Sequence, residues 1–179
     1  VLGRMRLSDR RGFSLIELVI VVVILGLIAG IAVPRLTRAS QGSGEVALSA
    51  DLKAFREAID FYEVEHGGDW PALRAAGNGV GPQNGEAFRL QLTWYTAENG
   101  EASPTSDAKH YLGPYLRKIP PLPVGSRAGQ SAVHTTNHFS TPGIPGPNYG
   151  WEYEHYLGHI RANLPADEVG SNGIPYYEW

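Results

Sequence analysis

Glu17 is the only ionisable residue between Phe13 and Val33, and every residue from Leu18 to Val33 is apolar or glycine. A carboxylate in such a stretch costs roughly 2.5–3.5 kcal/mol on membrane-insertion scales, so it needs a partner. Two histidine pairs, His134 with His138 and His155 with His159, each stand at i and i+4. On a helix that spacing can ligate zinc. Thr135 and Tyr156 occupy the place of a metalloprotease glutamate, and neighbouring prolines and Gly158 put both pairs in loops. Four polar loop residues are therefore expected. Asp167, Glu168 and Asn172 lie in a turn-rich tail, Pro165–Asn172. Oxygen donors in a flexible loop suit calcium, the alternative being an ordinary solvated turn. No phosphate-cradling loop, nucleophile elbow or paired-carboxylate constellation stands out, so an enzyme is not expected.

The chain that must position these groups has 179 residues, enough for one domain or two. Its 15 basic and 18 acidic residues give a net charge of -3, which excludes a strongly basic nucleic-acid binder. With no cysteine, disulfides, thiolate metal sites and a cysteine nucleophile are excluded as well. Glycine (22) and proline (13) make the composition loop-rich.

Charge and apolar residues are unevenly placed. Arg4, Arg6, Arg10 and Arg11 face Asp9 alone within residues 1–12, a local charge of +3. Val1 is an unusual first residue, and a start at Met5 also leaves a short basic leader. As a helix, the stretch from Phe13 to Val33 spans about 31 Å, the thickness of a bilayer's hydrocarbon core. The flanking arginines predict a cytoplasmic N-terminus with the remainder across the membrane. Gly30-Ile31-Ala32 loosely fits a signal-peptidase site, and a cut after Ala32 would release a periplasmic binding protein or enzyme, the rival reading; Glu17 inside the apolar region argues against it. Gly26, Gly30 and Pro34 recur at four-residue spacing. They suit close helix packing by small residues and a proline kink.

Beyond Pro34 the pattern turns amphipathic. Leu48, Leu52, Phe55, Ile59 and Tyr62 form a helical stripe that predicts packing on a core. Gly67-Gly68 stops this helix, and Ser40–Gly44 is its weak point in propensity. Further on, a short helix is expected at Pro71–Ala76; over Glu86–Thr96, Phe88, Leu92 and Tyr95 suit a helix and Phe88, Leu90, Leu92 and Trp94 a strand, with the helix preferred. Little regular structure is expected in proline-rich Gly113–Asn148. Tyr149–Leu164 predicts a β-hairpin turning at Leu157-Gly158.

The junction before the apolar run reads Arg10-Arg11-Gly12-Phe13-Ser14-Leu15-Ile16-Glu17. It resembles the cleavage and methylation signal of type IV pilin-like proteins, including the major pseudopilins of type II secretion. The resemblance implies that a prepilin peptidase cuts after Gly12, that Phe13 becomes the methylated terminus, and that Glu17 is the assembly glutamate. An ammonium on Phe13 of an adjacent copy would then supply the partner that Glu17 needs. It also implies that the helix can lose helicity between Gly26 or Gly30 and Pro34 on assembly.

Tyr115-Leu116-Arg117-Lys118-Ile119-Pro120 is similar to a segment of major pseudopilins. Leu122-Pro123-Val124-Gly125 stands where Asp-Pro-Trp-Gly often follows, which leaves a pilus pilin open as the alternative. Major pseudopilins often bind calcium near the C-terminus, so calcium at Asp167, Glu168 and Asn172 is an expectation of the resemblance. The implied fold is α+β and pilin-like: a leader 1–12 that is removed, a membrane and assembly helix 13–34, an amphipathic half 35–66, and a loop-rich head 67–179. The implied partners are copies of the chain, other pilin-like subunits, prepilin peptidase and an inner-membrane assembly platform, with no nucleic acid. The implied location is the inner membrane with the head in the periplasm, then a filament.

Overall fold

The computed structural model of the chain describes residues 13–144 and 148–179. Helix α1 runs from Leu15 to Glu65, and α2 from Gly85 to Thr93. The strands are β1 (Tyr95–Thr96), β2 (Ala102–Ser103), β3 (Ala132–Thr136), β4 (Tyr149–Glu154) and β5 (His159–Ala162). A 3-10 turn, Tyr176–Glu178, follows. The class is α+β, with a long apolar-to-amphipathic helix and small sheets. Two compact units divide between Ser40 and Gln41. That boundary falls inside the stretch of poor helix propensity, through which α1 is nevertheless continuous.

Part of that stretch has a packing reason. A methyl group at Gly44 would lie 2.9 Å from Val124 Cγ1 and 3.2 Å from the Pro123 carbonyl oxygen. Glycine there lets the loop carrying Pro123 and Val124 close onto the helix, which outweighs a propensity cost of about 1 kcal/mol. At its other end α1 stops where Gly67 and Gly68 take positive φ and the Gly68 N–H bonds the Glu63 carbonyl at 2.9 Å. That is the six-to-one bond of a Schellman end, which satisfies a carbonyl the helix leaves free.

The five stripe residues, Leu48, Leu52, Phe55, Ile59 and Tyr62, are all buried in the core of the second unit. Phe55 lies with its ring centroid 4.9 Å from that of Trp151 on β4 and 6.2 Å from that of Phe88 on α2. Phe88 in turn stands 4.3 Å from Tyr153. The helix stripe, α2 and the inner face of one sheet thus share one aromatic centre. In that sheet β4 is the middle strand, parallel to β3 and antiparallel to β5. Strands β1 and β2 form a separate antiparallel pair.

Three expectations are corrected. Pro71–Ala76 forms turns and no helix, because Ala72 takes φ 64° and gives its N–H to Gln91 Oε1. The segment Gly113–Asn148 contains a strand, β3, in its proline-free stretch Ala132–Thr136, where Val133, Thr135 and Thr136 are β-branched. The helix begun at Gly85 ends at Thr93 instead of Thr96, since Trp94 is extended and leads into β1. The hairpin β4–β5 pairs Trp151 with Ala162 and Tyr153 with Ile160. Its connection contains Leu157 and Gly158, and Gly158 at φ 69° lies against the ring of Trp70. Pro145 and Pro147 lie outside the described residues.

Candidate functional site

Three groups of side chains carry the chemistry singled out above. The first is the start of α1. Ser14 precedes the helix, and its backbone N–H donates to Glu17 Oε2 at 3.2 Å. This is one half of a capping box, the Ser-x-x-Glu pattern in which the third helical residue reaches back to the cap. The carboxylate also lies at the positive end of the helix dipole. Phe13 just ahead is 84% exposed.

From Leu15 to Ala32 the helix is long and apolar enough to cross a membrane, and none of that stretch is buried among the described residues. Methyl groups at Gly26 or Gly30 would meet nothing within 4 Å, so the smallness of both glycines is unused inside the chain. Pro34 lies within α1. Gly12 and the basic leader 1–12 lie outside the described residues.

The second group gathers histidines from both pairs around one carboxylate. Glu154, at the end of β4, is buried. His138 Nδ1 lies 2.8 Å from its Oε1, and His159 Nδ1 lies 3.5 Å from its Oε2. Sequence spacing pairs His134 with His138, but β3 carries His134 opposite Glu152 and leaves His138 beyond the strand end. His155 is not the polar loop residue expected. It is buried just after β4, and burial lowers its pKa from the ordinary histidine value. Glu152 one turn of the pleat earlier is also buried, and Arg161 bonds it from β5 at 2.7 Å. The Arg161 guanidinium then stacks over Phe139, 4.2 Å from the ring centroid.

The third group is the C-terminal loop. Glu168 accepts the Ser126 N–H on Oε2 at 2.8 Å and the Ser126 hydroxyl on Oε1 at 2.5 Å. Asn172 Oδ1 accepts the Ile174 N–H at 3.0 Å. Asp167 is exposed. Calcium takes about six to eight oxygen ligands. Glu168 is taken up by Ser126 and Asn172 by its own turn, and among the described residues no group of three or more acidic or histidine side chains is arranged to hold a metal. These residues do not fit calcium.

Glu45 was missed by sequence reasoning. It lies three residues before Leu48, so it continues the buried stripe backward along α1. A carboxylate on an apolar stripe was the available signal. Only 8% exposed, it accepts the Ser171 N–H at 2.8 Å, the Ser171 hydroxyl at 2.5 Å and the Tyr176 hydroxyl at 3.2 Å. The Ser171 hydroxyl above all holds its pKa below the ordinary glutamate value, against the opposing effect of burial.

Comparison with known proteins bears on the first group. The family described as the prokaryotic N-terminal methylation motif matches residues 7–33, which include Gly12, Phe13 and Glu17. The type II secretion system core protein G of Klebsiella michiganensis is 23% identical over 156 residues, covering 82% of this chain and 96% of that protein. The chain carries the N-terminal methylation signal of type IV pilin-like proteins. Its relatives include further proteins of the same name. That of Klebsiella pneumoniae is 28% identical, covering 67% of this chain and 73% of its own length. That of Pseudomonas aeruginosa is 40% identical over 63 residues, 35% of this chain and 44% of the relative. No solved structure gives a significant match.

Proposed function

We propose that this chain is a structural subunit of a type II secretion pseudopilus. The observation that carries the reading is a methylation motif leading directly into an apolar helix that is not buried among the described residues. An apolar surface on every side of a helix needs lipid first and other helices later. In this reading prepilin peptidase cuts between Gly12 and Phe13, and Phe13 is methylated. The chain rests in the inner membrane through residues 13–34 with its head in the periplasm, and the apolar helices then pack into a filament with copies of itself and other pilin-like subunits. Extraction by an inner-membrane platform drives that step.

Glu17 takes two partners in turn. In the single chain it caps its own helix through Ser14. In the filament it pairs with the ammonium of Phe13 on a neighbour, which fixes the axial register much as a polar residue does in a coiled coil. Gly26 and Gly30, free of contacts inside the chain, serve helix packing between copies, and Pro34 marks the kink at the end of the anchor. The role is structural, with no catalytic step. Deleting the gene and restoring it tests the reading: secreted enzymes should accumulate in the periplasm of the deletion strain and leave the cell again on complementation. Unchanged secretion with loss of surface fibres would point to a pilus pilin instead.

A further inference from the structure

We propose that two carboxylate–serine clamps close the C-terminal loop of this chain in the place of a metal ion, so that its head folds independently of calcium. The two clamps share one design. Glu45 on α1 receives both the N–H and the hydroxyl of Ser171, and Glu168 receives both the N–H and the hydroxyl of Ser126. A serine offers those two donors side by side, and a carboxylate offers two oxygens at matching separation. Each carboxylate is thereby satisfied at both oxygens without a cation.

The clamps are placed where a loop would otherwise be loose. Glu45 joins the loop to the helix across 126 residues of chain, and Glu168 joins it to the segment at Ser126 across 42. Between them the Gly170 N–H bonds the Ile174 carbonyl at 2.9 Å, which makes 170–174 a tight reversal. Past the reversal, Arg56 on α1 donates to the Trp179 carbonyl oxygen at 2.9 Å, and Trp179 Nε1 donates back to Ile174 at 3.3 Å. A buried carboxylate is stable only when paired or fully hydrogen-bonded, and Glu45 has three donors. The donor hydrogens already point at the oxygens a cation would use.

The test uses the full-length chain in detergent, with thermal unfolding of the head followed by tryptophan fluorescence, in excess EDTA and in added calcium chloride. The unchanged chain should melt at the same temperature in both. Glu45→Gln and Ser126→Ala should each melt about 3–8 °C lower, equally in EDTA and in calcium. A wild-type midpoint that falls in EDTA and returns with calcium would overturn the proposal, and so would variants that melt like the wild type. Should Glu45→Gln not fold, Ser171→Ala removes one donor from the same clamp and carries the same two outcomes. The readout needs no filament, so its failure is distinct from failure of the secretion reading.

Discussion

Two glutamates on α1 face opposite environments, and each makes a different prediction. Glu17 stands at the head of an apolar, unburied run and, among the described residues, accepts the Ser14 N–H. Replacing it with leucine removes a charge from the anchor, which makes insertion easier. The neighbour's ammonium would then enter the filament unpaired, at a cost of several kcal/mol. Glu17→Leu should therefore be cleaved and membrane-inserted at normal levels yet yield no filaments, measured by shearing and immunoblotting. Glu17→Asp, with its shorter reach, should assemble poorly. Filaments of normal yield from Glu17→Leu would remove the pairing account.

Glu45 acts inside the head, and its effect is read through pH. Its carboxyl is held below the ordinary value of 4.5, mainly by the Ser171 hydroxyl. Burial likewise lowers the pKa of His66 and His155 below the ordinary 6.5. All three bind a proton less readily folded than unfolded, so the unfolded chain gains protons first on acidification. The histidine contribution is full above pH 6.5 and is lost as pH falls below it. The Glu45 contribution is full above pH 4.5 and is lost below that. The unfolding midpoint should thus fall in two stages between pH 8 and 3, and Glu45→Gln should flatten only the second. A midpoint constant over that range would contradict both assignments. Glu45 was legible as a break in the apolar stripe. Its partners were not, because Ser171 lies far along the chain and nothing local links them.

Among the elements, α1 was legible from spacing alone, since its stripe repeats every three or four residues and each member is buried. Truncating its central ring, Phe55→Ala, should cost about 3–5 kcal/mol of head stability in denaturant titration, because Phe55 joins the stripe to both Trp151 and Phe88. Gly42 and Gly44 of α1 were legible only as low propensity. A methyl at Gly42 meets nothing within 4 Å, whereas one at Gly44 strikes Val124. Gly42→Ala should therefore stabilise by up to about 1 kcal/mol, while Gly44→Ala should destabilise by about 1–2 kcal/mol. The same sign for both would show that the loop yields to the added methyl. Strand β3 was hidden by the prolines on either side of it. Its pairing with β4 is parallel and non-local, and a single strand's sequence does not announce such a partner. Burial of Glu152 and Glu154 was hidden for a related reason. Alternation along β4 puts them toward solvent, and Arg161 and His138, from other elements, make their burial affordable.

At the scale of the whole molecule, the first part of α1 is not buried among the described residues, and its second part builds the head's core. An exposed apolar helix repeated along one direction makes contacts that differ on its two sides, and such head-to-tail contacts generate open filaments. The first part was legible because an unbroken apolar run with one carboxylate has few soluble uses. The closing of the loop was legible in neither composition nor motif, and the calcium expected there came from the loop's oxygen donors and from the resemblance. The reading as a retained, processed anchor can be tested on the mature chain by mass spectrometry of its N-terminus. The account predicts a chain beginning at N-methylated Phe13, with Glu17 and the apolar run intact. A mature chain beginning at Val33 would mean release by signal peptidase, and it would contradict the filament subunit outright.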